Sequence, residues 1–292
     1  MSNYAPASPA SHIYFSQRLR LHYLDWGNEA APSMLLVHGM HDHCRTWDDL
    51  LERYLDRFHV ITPDLRGHGD SQWVTGSGYS YQDYVYDLSQ LVDQAELAPM
   101  TLVGHSMGGA IAAIYAGIMP EKVHRLIIIE GIGMWRHIPP TPPVHERMRT
   151  WLESTRSLAG RIPRRYASLH EAYQRMQQAN PNLSDEQALH LTIHGSNQNE
   201  DGTYSWKYDN YTHNFLPGGL SEAETIELWQ RIHCPVLVIN AEEGFEHRIG
   251  HDDTLRYFND VSYHVIEDAG HWTYHDKLEA VGKLLDDFVG RA

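Results

Sequence analysis

A serine between glycines is the residue of this 292-residue chain with the most direct chemical use. Residues 104–108 read GHSMG, a G-x-S-x-G pattern with Ser106 at its centre. An apolar run at 100–103 precedes it and a stretch rich in alanine and isoleucine at 110–118 follows, so Ser106 lies between a predicted strand and a predicted helix. The glycines permit a tight turn, and the helix N-terminus favours developing negative charge. This context favours a serine nucleophile for acyl transfer.

A histidine near the end of the chain is the best candidate for the base that would activate this serine. Residues 270–272 read GHW and follow the last predicted strand. Because the chain contains 21 histidines, the residue type alone does not identify a catalytic base. The position after a strand, together with the chain order serine, acid, histidine, singles out His271.

Alternating apolar and amphipathic segments predict the elements that position these two residues. Strands are predicted at 19–25, 33–37, 58–62, 100–103, 125–130, 235–240 and 262–266, and helices at 46–55, 80–95, 110–118, 221–230 and 277–289. Strands that alternate with helices indicate βαβ units and a parallel sheet. Residues 1–11, rich in alanine, proline and serine, are expected to form a loose arm.

The alternation stops between residues 133 and 218. A proline-rich segment at 138–143 is followed by helical patterns at 144–158, 168–179 and 184–194, and then by a polar, aromatic loop at 197–214. We interpret residues 133–218 as an inserted, all-helical cap on a core formed by residues 1–132 and 219–292. A cap excludes water and narrows access, which favours small-molecule substrates.

A further segment carries a resemblance to a known family. Residues 63–71 read PDLRGHGDS, similar to the segment that follows the fourth strand in α/β-hydrolases. Together with His38-Gly39, the GHSMG turn and Gly270-His271, it resembles that superfamily over nearly the whole chain. The resemblance implies an α/β fold with a mostly parallel eight-stranded sheet flanked by helices. It also implies that the backbone N–H groups of Met40 and Met107 form the oxyanion hole.

The residue at position 106 narrows the chemistry within this superfamily. Haloalkane dehalogenases and epoxide hydrolases use an aspartate nucleophile, whereas Ser106 favours attack on a carbonyl and an acyl-enzyme. We therefore expect a cofactor-independent hydrolase of small to medium, largely apolar carboxylic esters. Lactone opening, carbon–carbon bond hydrolysis, perhydrolysis and a poorly active ligand-binding protein remain as alternatives.

The acid of the triad departs from the usual pattern. Most superfamily members place an aspartate shortly after the seventh strand, where this chain has Gly244. Glu243 is adjacent, and Glu130 ends the apolar run at 126–129. Some haloalkane dehalogenases carry a glutamate at the position of Glu130 and a glycine at the later site. The resemblance therefore favours Glu130, with Glu243 as the alternative.

Four residues are expected to contact substrate. Trp135, Trp151 and Trp206 lie in the predicted cap, and His105 is adjacent to the nucleophile. Aromatic side chains offer large apolar surfaces for an acyl or alcohol group.

Charge and cysteine usage limit the partners. The formal net charge of −15 argues against nucleic acid and anionic membranes. Cys44 and Cys234 form no CxxC pair, and the N-terminus lacks a basic segment followed by an apolar run, so a cytoplasmic location is expected. The sequence leaves open whether the protein forms a homodimer.

The histidines that precede Cys44 suggest a metal site at first sight. His38, His41, His43 and Cys44 match no common zinc spacing, so we expect a loop of surface histidines and no metal.

Overall fold

The computed structural model describes residues 8–76, 78–133, 142–251 and 253–290. Within these ranges, no helix combines the length and the apolar character that crossing a bilayer requires.

Eight strands form one mostly parallel sheet, and two short strands form a separate hairpin. The strands are β1 (Ala10–Ser16), β2 (Leu19–Asp25), β3 (Ser33–Val37), β4 (His59–Pro63), β5 (Met100–His105), β6 (Val123–Ile129), β7 (Ser196–Gln198), β8 (Tyr204–Trp206), β9 (Val236–Ala241) and β10 (Val261–Ile266). The sheet order is β1-β2-β4-β3-β5-β6-β9-β10. Within the described part of this eight-stranded sheet, only the β1–β2 and β2–β4 pairs are antiparallel. β5 is therefore central, and its carboxyl end lies at the edge where ligands bind in open α/β sheets.

Helices cover both faces of the sheet. They are α1 (Asp48–Leu51), α2 (Tyr81–Gln94), α3 (Met107–Ile118), α4 (Val144–Leu158), α5 (Leu169–Ala179), α6 (Asp185–Gly195), α7 (Glu222–Gln230), α8 (Thr273–Asp276) and α9 (Leu278–Val289). Leu35 and Val37 pack with α2, α3 and α7 in one core, whereas Met34 and Leu36 pack with α1 and α9 in the other. This alternation follows from the two-residue period of a strand, and continuous apolar runs are needed because both faces are covered.

Most predicted elements agree with the structure. β2 and β3 have the predicted bounds, and α2 lies inside the predicted helix at 80–95, with Ser80 as its N-cap. The predicted loose arm at 1–11 is wrong for residues 10 and 11, which belong to β1. The predicted helix at 46–55 is replaced by a 3-10 turn at Cys44–Trp47 and the short α1.

The segment between β6 and α7 contains the helices α4, α5 and α6, the strands β7 and β8, and a 3-10 turn at Asn210–His213. The expectation that it is all helical is wrong, because β7 and β8 pair within the region expected to be a loop. This segment contacts the core directly. The Asp209 backbone N–H donates to the carbonyl of Gly67 at 2.8 Å, and the Tyr79 hydroxyl donates to Asp209 Oδ2 at 2.7 Å. His43 Nε2 also lies 3.1 Å from the Leu191 carbonyl oxygen in α6.

Candidate active site

Ser106 occupies a strained turn between β5 and α3. Its φ of 53° and ψ of −119° lie outside the regions that non-glycine residues favour. The turn closes tightly, because a Cβ at Gly104 would lie 2.4 Å from the Gly108 carbonyl oxygen, and one at Gly108 would lie 2.2 Å from that of Val37. Both positions therefore require glycine. The consequence is a serine side chain that projects from the end of the central strand.

Two backbone N–H groups, those of Met40 and Met107, donate to no described protein acceptor. Met107 is the first residue of α3, and Met40 lies in the loop after β3. Buried backbone donors are rarely left without partners, and unpaired ones at a helix N-terminus suit a negatively charged oxygen.

His38 fixes the loop that carries Met40. Its Nδ1 donates to the Gly39 carbonyl at 2.6 Å, and its Nε2 accepts from the Leu65 backbone N–H at 3.0 Å. Burial lowers the pKa of His38, so the ring stays neutral with one donor and one acceptor, as these two contacts require.

His271 lies against Ser106. Its Nε2 is 2.8 Å from Ser106 Oγ, within reach to accept the hydroxyl proton. Its other nitrogen, Nδ1, donates to Glu130 Oε2 at 3.1 Å. The ring centroid of Phe245 lies 3.9 Å from that of His271, so an aromatic ring covers one side of the imidazole.

Glu130 is fully buried at the end of β6, with a φ of 48°. Its Oε1 accepts from the Ala241 backbone N–H at 2.6 Å and its Oε2 from that of Phe245 at 3.3 Å. A Cβ at Gly244 would lie only 2.1 Å from Glu130 Oε2. The Glu130 carboxylate therefore occupies the space that a side chain at position 244 would fill.

Arg248 supplies a cationic partner for Glu130 that the sequence did not reveal. Its Nε lies 3.3 Å from Glu130 Oε1, while its terminal nitrogens donate to the carbonyls of Phe245 and Ala241. A buried carboxylate needs such compensation, and this need was the only available signal for Arg248. Glu243, the alternative acid, has an exposed side chain. The structure thus brings Glu130, and not Glu243, to His271.

The His105 ring lies on the core side of His271. The side chain is fully buried, and its Nε2 donates to the His271 carbonyl at 2.9 Å. Burial, followed by the charge of His271, lowers the pKa of His105. The expectation that His105 contacts substrate is therefore wrong, because the ring supports the backbone of His271 from inside the core.

A cleft of about 450 Å³ opens between the core and the segment expected to be a cap. Its walls combine core residues with residues of α5, β8 and adjoining loops: His41, Pro163, Arg164, Tyr166, Arg175, Met176, Ala179, Asn180, Trp206, Tyr208, Asn210 and Trp272. Trp206 thus lines the cleft. Trp151 lies on α4 and is not part of these walls, and Trp135 lies outside the described residues.

The histidines before Cys44 are not the surface loop that the sequence indicated. His38, His43 and Cys44 are buried, because α6 and the 3-10 turn at Asn210–His213 cover this loop. His41 stacks on Tyr208 with the ring centroids 4.0 Å apart. Local sequence patterns do not predict the burial of these histidines by segments that are distant in the chain.

One buried group has the composition of a metal site. The ligand atoms of His22, Cys44 and Asp64 lie within 4.8 Å of one another. Asp64 already accepts from His22 Nδ1 at 2.6 Å and from the backbone N–H groups of Cys44 at 2.7 Å and Asp70 at 3.0 Å. Burial raises the pKa of the Cys44 thiol, which disfavours the thiolate that metals need. These residues therefore form a hydrogen-bonded group that supports the turn at 64–71, and they do not have the character of a metal site.

The sheet topology, the strained serine turn and the carboxylate–histidine–serine contacts define an α/β-hydrolase architecture. The model of the alpha/beta hydrolase fold family matches residues 32–278, and the chain belongs to this family.

The chain is also similar to individual relatives and solved structures. A serine hydrolase-like protein of Danio rerio is 23% identical over 276 residues, covering 90% of this chain and 83% of that protein. An uncharacterised Mycobacterium tuberculosis protein is 35% identical over 109 residues, which is 37% of this chain and 32% of the relative, so the match spans about a third of that relative's length. A thioesterase domain from the curacin biosynthetic pathway superimposes with a TM-score of 0.82 at 22% identity, covering 95% of this chain and 99% of the domain. That likeness concerns the fold.

Proposed function

We propose that this protein is a serine hydrolase that cleaves small to medium carboxylic esters through an acyl-enzyme. The observation that carries the proposal is the continuous contact from Glu130 through His271 to Ser106, with distances of 3.1 Å and 2.8 Å. Serine becomes a useful nucleophile only beside a positioned base, and the base needs a third group that fixes its tautomer.

The proposed reaction assigns one role to each group. His271 Nε2 accepts the hydroxyl proton as Ser106 Oγ attacks the ester carbonyl, and Glu130 holds the imidazolium that forms. The Met40 and Met107 N–H groups stabilise the oxyanion. His271 then protonates the leaving alcohol, and water, deprotonated by the same nitrogen, releases the acid and restores Ser106.

The cleft supports the substrate range. Tyr166, Trp206, Tyr208 and Trp272 offer aromatic surface in the cleft, and Trp272 directly follows the base in sequence. A volume of about 450 Å³ suits a small molecule, and the apolar part of its acyl or alcohol group would pack on these rings. The two free cysteines suit a reducing cytoplasm, which we include in the proposal.

A panel of p-nitrophenyl esters with graded acyl length tests this function. We expect measurable turnover with a chain-length optimum. In folded Ser106→Ala, kcat should fall by about 10³-fold or more. Ser157→Ala, at an exposed serine of α4, is the matched control and should keep wild-type kcat. Equal turnover by wild-type and Ser106→Ala proteins, or no turnover of any ester, contradicts the proposal.

A further inference from the structure

Two arginines give the cleft a charge opposite to that of the whole molecule. Arg164 and Arg175 belong to its walls, and no aspartate or glutamate does. The whole chain has 38 acidic residues against 23 lysines and arginines. The walls of this cleft therefore carry cationic and no anionic side chains, in a chain whose formal net charge is −15.

Neither arginine forms an ion pair with a described residue. Among the residues that the structure describes, no carboxylate lies within 4.0 Å of the Arg164 or Arg175 guanidinium, the distance that defines an ion pair. Arg165, the next residue in sequence, behaves differently. It pairs with Glu200 at 2.8 Å and with Asp201 at 2.7 Å, outside the cleft.

Arg164 is held near the cleft by an aromatic ring. Its guanidinium carbon lies 5.0 Å from the ring centroid of Tyr166, which also lines the cleft. A guanidinium that stacks on a ring keeps its hydrogen-bond donors available at its edge, where a planar carboxylate can bind. Asn210 adds an uncharged amide to the same walls, whereas the Asn180 amide already donates to the Met176 carbonyl at 3.2 Å.

Two residues of the cleft walls are direct sequence neighbours of proposed site residues. His41 follows Met40, one proposed oxyanion donor, and Trp272 follows His271, the proposed base. Burial, with His213 as a second cause, lowers the pKa of His41 to about 3, so this ring is neutral at pH 7. The positive charge of the cleft therefore comes from the arginines.

We infer that the ester substrates of this protein carry a carboxylate, which Arg164 and Arg175 bind while the aromatic residues pack on the rest of the molecule. This inference rests on the proposed ester hydrolysis, of which it specifies the substrate class. Because both guanidinium groups also contact solvent, their attraction for the carboxylate falls as ionic strength rises.

Two matched substrate pairs test the inference and locate the charge. In the acyl pair, the p-nitrophenyl half-ester of glutaric acid is compared with p-nitrophenyl valerate. In the alcohol pair, 4-acetoxybenzoate is compared with 4-acetoxybenzamide. We expect kcat/KM to be about tenfold higher or more for the carboxylate in at least one pair, as charge-assisted hydrogen bonds support. The preference should disappear in the Arg164→Gln/Arg175→Gln double variant and persist in Arg165→Gln.

A binding measurement separates this inference from the proposed catalysis. Ser106→Ala protein is titrated calorimetrically with 4-acetoxybenzoate and with glutarate, and with the neutral analogues 4-acetoxybenzamide and glutaramide. About tenfold tighter binding of one of the carboxylates, lost when both arginines are replaced, supports the anion site even if wild-type protein hydrolyses no ester. Ester turnover that depends on Ser106 but shows no carboxylate preference in either pair, or a preference that survives in the double variant, overturns the inference and leaves the proposed function standing.

Discussion

Replacing Glu130 with glutamine exchanges one carboxylate oxygen for an amide NH₂ group and changes little in size. Both carboxylate oxygens face donors in the structure. Oε1 accepts from the Ala241 N–H and lies beside Arg248, whereas Oε2 faces the Phe245 N–H and His271 Nδ1. Glutamine can satisfy only one of these two sides with its single oxygen.

The contacts decide which way the amide turns. The shorter hydrogen bond, 2.6 Å from the Ala241 N–H, and the cationic Arg248 both favour the amide oxygen on their side. The NH₂ group then faces His271 Nδ1 and donates to it. This places the imidazole proton on Nε2, where it points at Ser106 Oγ, and the ring can no longer accept the serine proton.

The expected cost follows from this tautomer change. The equivalent replacement in the serine-protease template lowers kcat by about 10⁴-fold, and we expect about 10³–10⁴-fold here. That factor corresponds to about 4–5.5 kcal/mol of activation free energy. Removing the buried negative charge also leaves Arg248 without its partner, so a lower unfolding free energy is expected as well.

The assay is p-nitrophenyl ester hydrolysis at saturating substrate, with far-UV circular dichroism as the test of folding. Glu243→Gln is the matched control, and because that carboxylate is exposed, we expect kcat within about twofold of wild type. If Glu130→Gln does not fold, Glu130→Asp keeps the charge and should lose activity through the shorter reach. A folded Glu130→Gln protein with more than a tenth of wild-type kcat, or a large loss in Glu243→Gln, refutes the reasoning.

Three further changes test other parts of the structure. Gly244→Ala places a Cβ 2.1 Å from the buried carboxylate, so kcat should fall about 100-fold or more, whereas Gly219→Ala, whose Cβ meets nothing within 4 Å, should change little in the same ester assay. Burial lowers the pKa of His275 to about 3, below its ordinary 6.5, so its stabilising contribution is complete above pH 6.5 and is lost as the pH falls towards 3. The free energy of unfolding is measured by urea titration at pH 7.5 and at pH 5. Its decrease between these two pH values should be about 2 kcal/mol smaller in His275→Gln than in wild type. Trp206→Ala should shift the acyl chain-length optimum because it enlarges the cleft, and Trp151→Ala should not.

The sequence predicted those parts of the structure that local patterns determine. Local patterns of apolar residues predicted the bounds of β2 and β3, and the glycines around Ser106 indicated the turn. β1 was missed because most of its side chains are exposed and its apolar residues are limited to the short run at 13–15.

Other features depend on packing between distant segments. Leu191 lies 148 residues after His43, and no local pattern predicts that α6 buries that histidine. The arginines of the cleft were likewise not predicted, because Arg164 and its neighbour Arg165 look alike in sequence and differ only in what they face. His105 was assigned to the substrate side from adjacency alone, although successive residues of a strand point to opposite faces.

The central claim is that Ser106 becomes acylated during turnover. Rapid mixing of enzyme with excess p-nitrophenyl ester should release about one equivalent of p-nitrophenol per active site before the steady state, provided that deacylation is slower than acylation. Acid quenching within that phase, followed by proteolysis and mass spectrometry, should locate the acyl group on the peptide that contains Ser106. An acyl group on another residue, or steady turnover in a Ser106→Ala protein that is never acylated, would contradict the account.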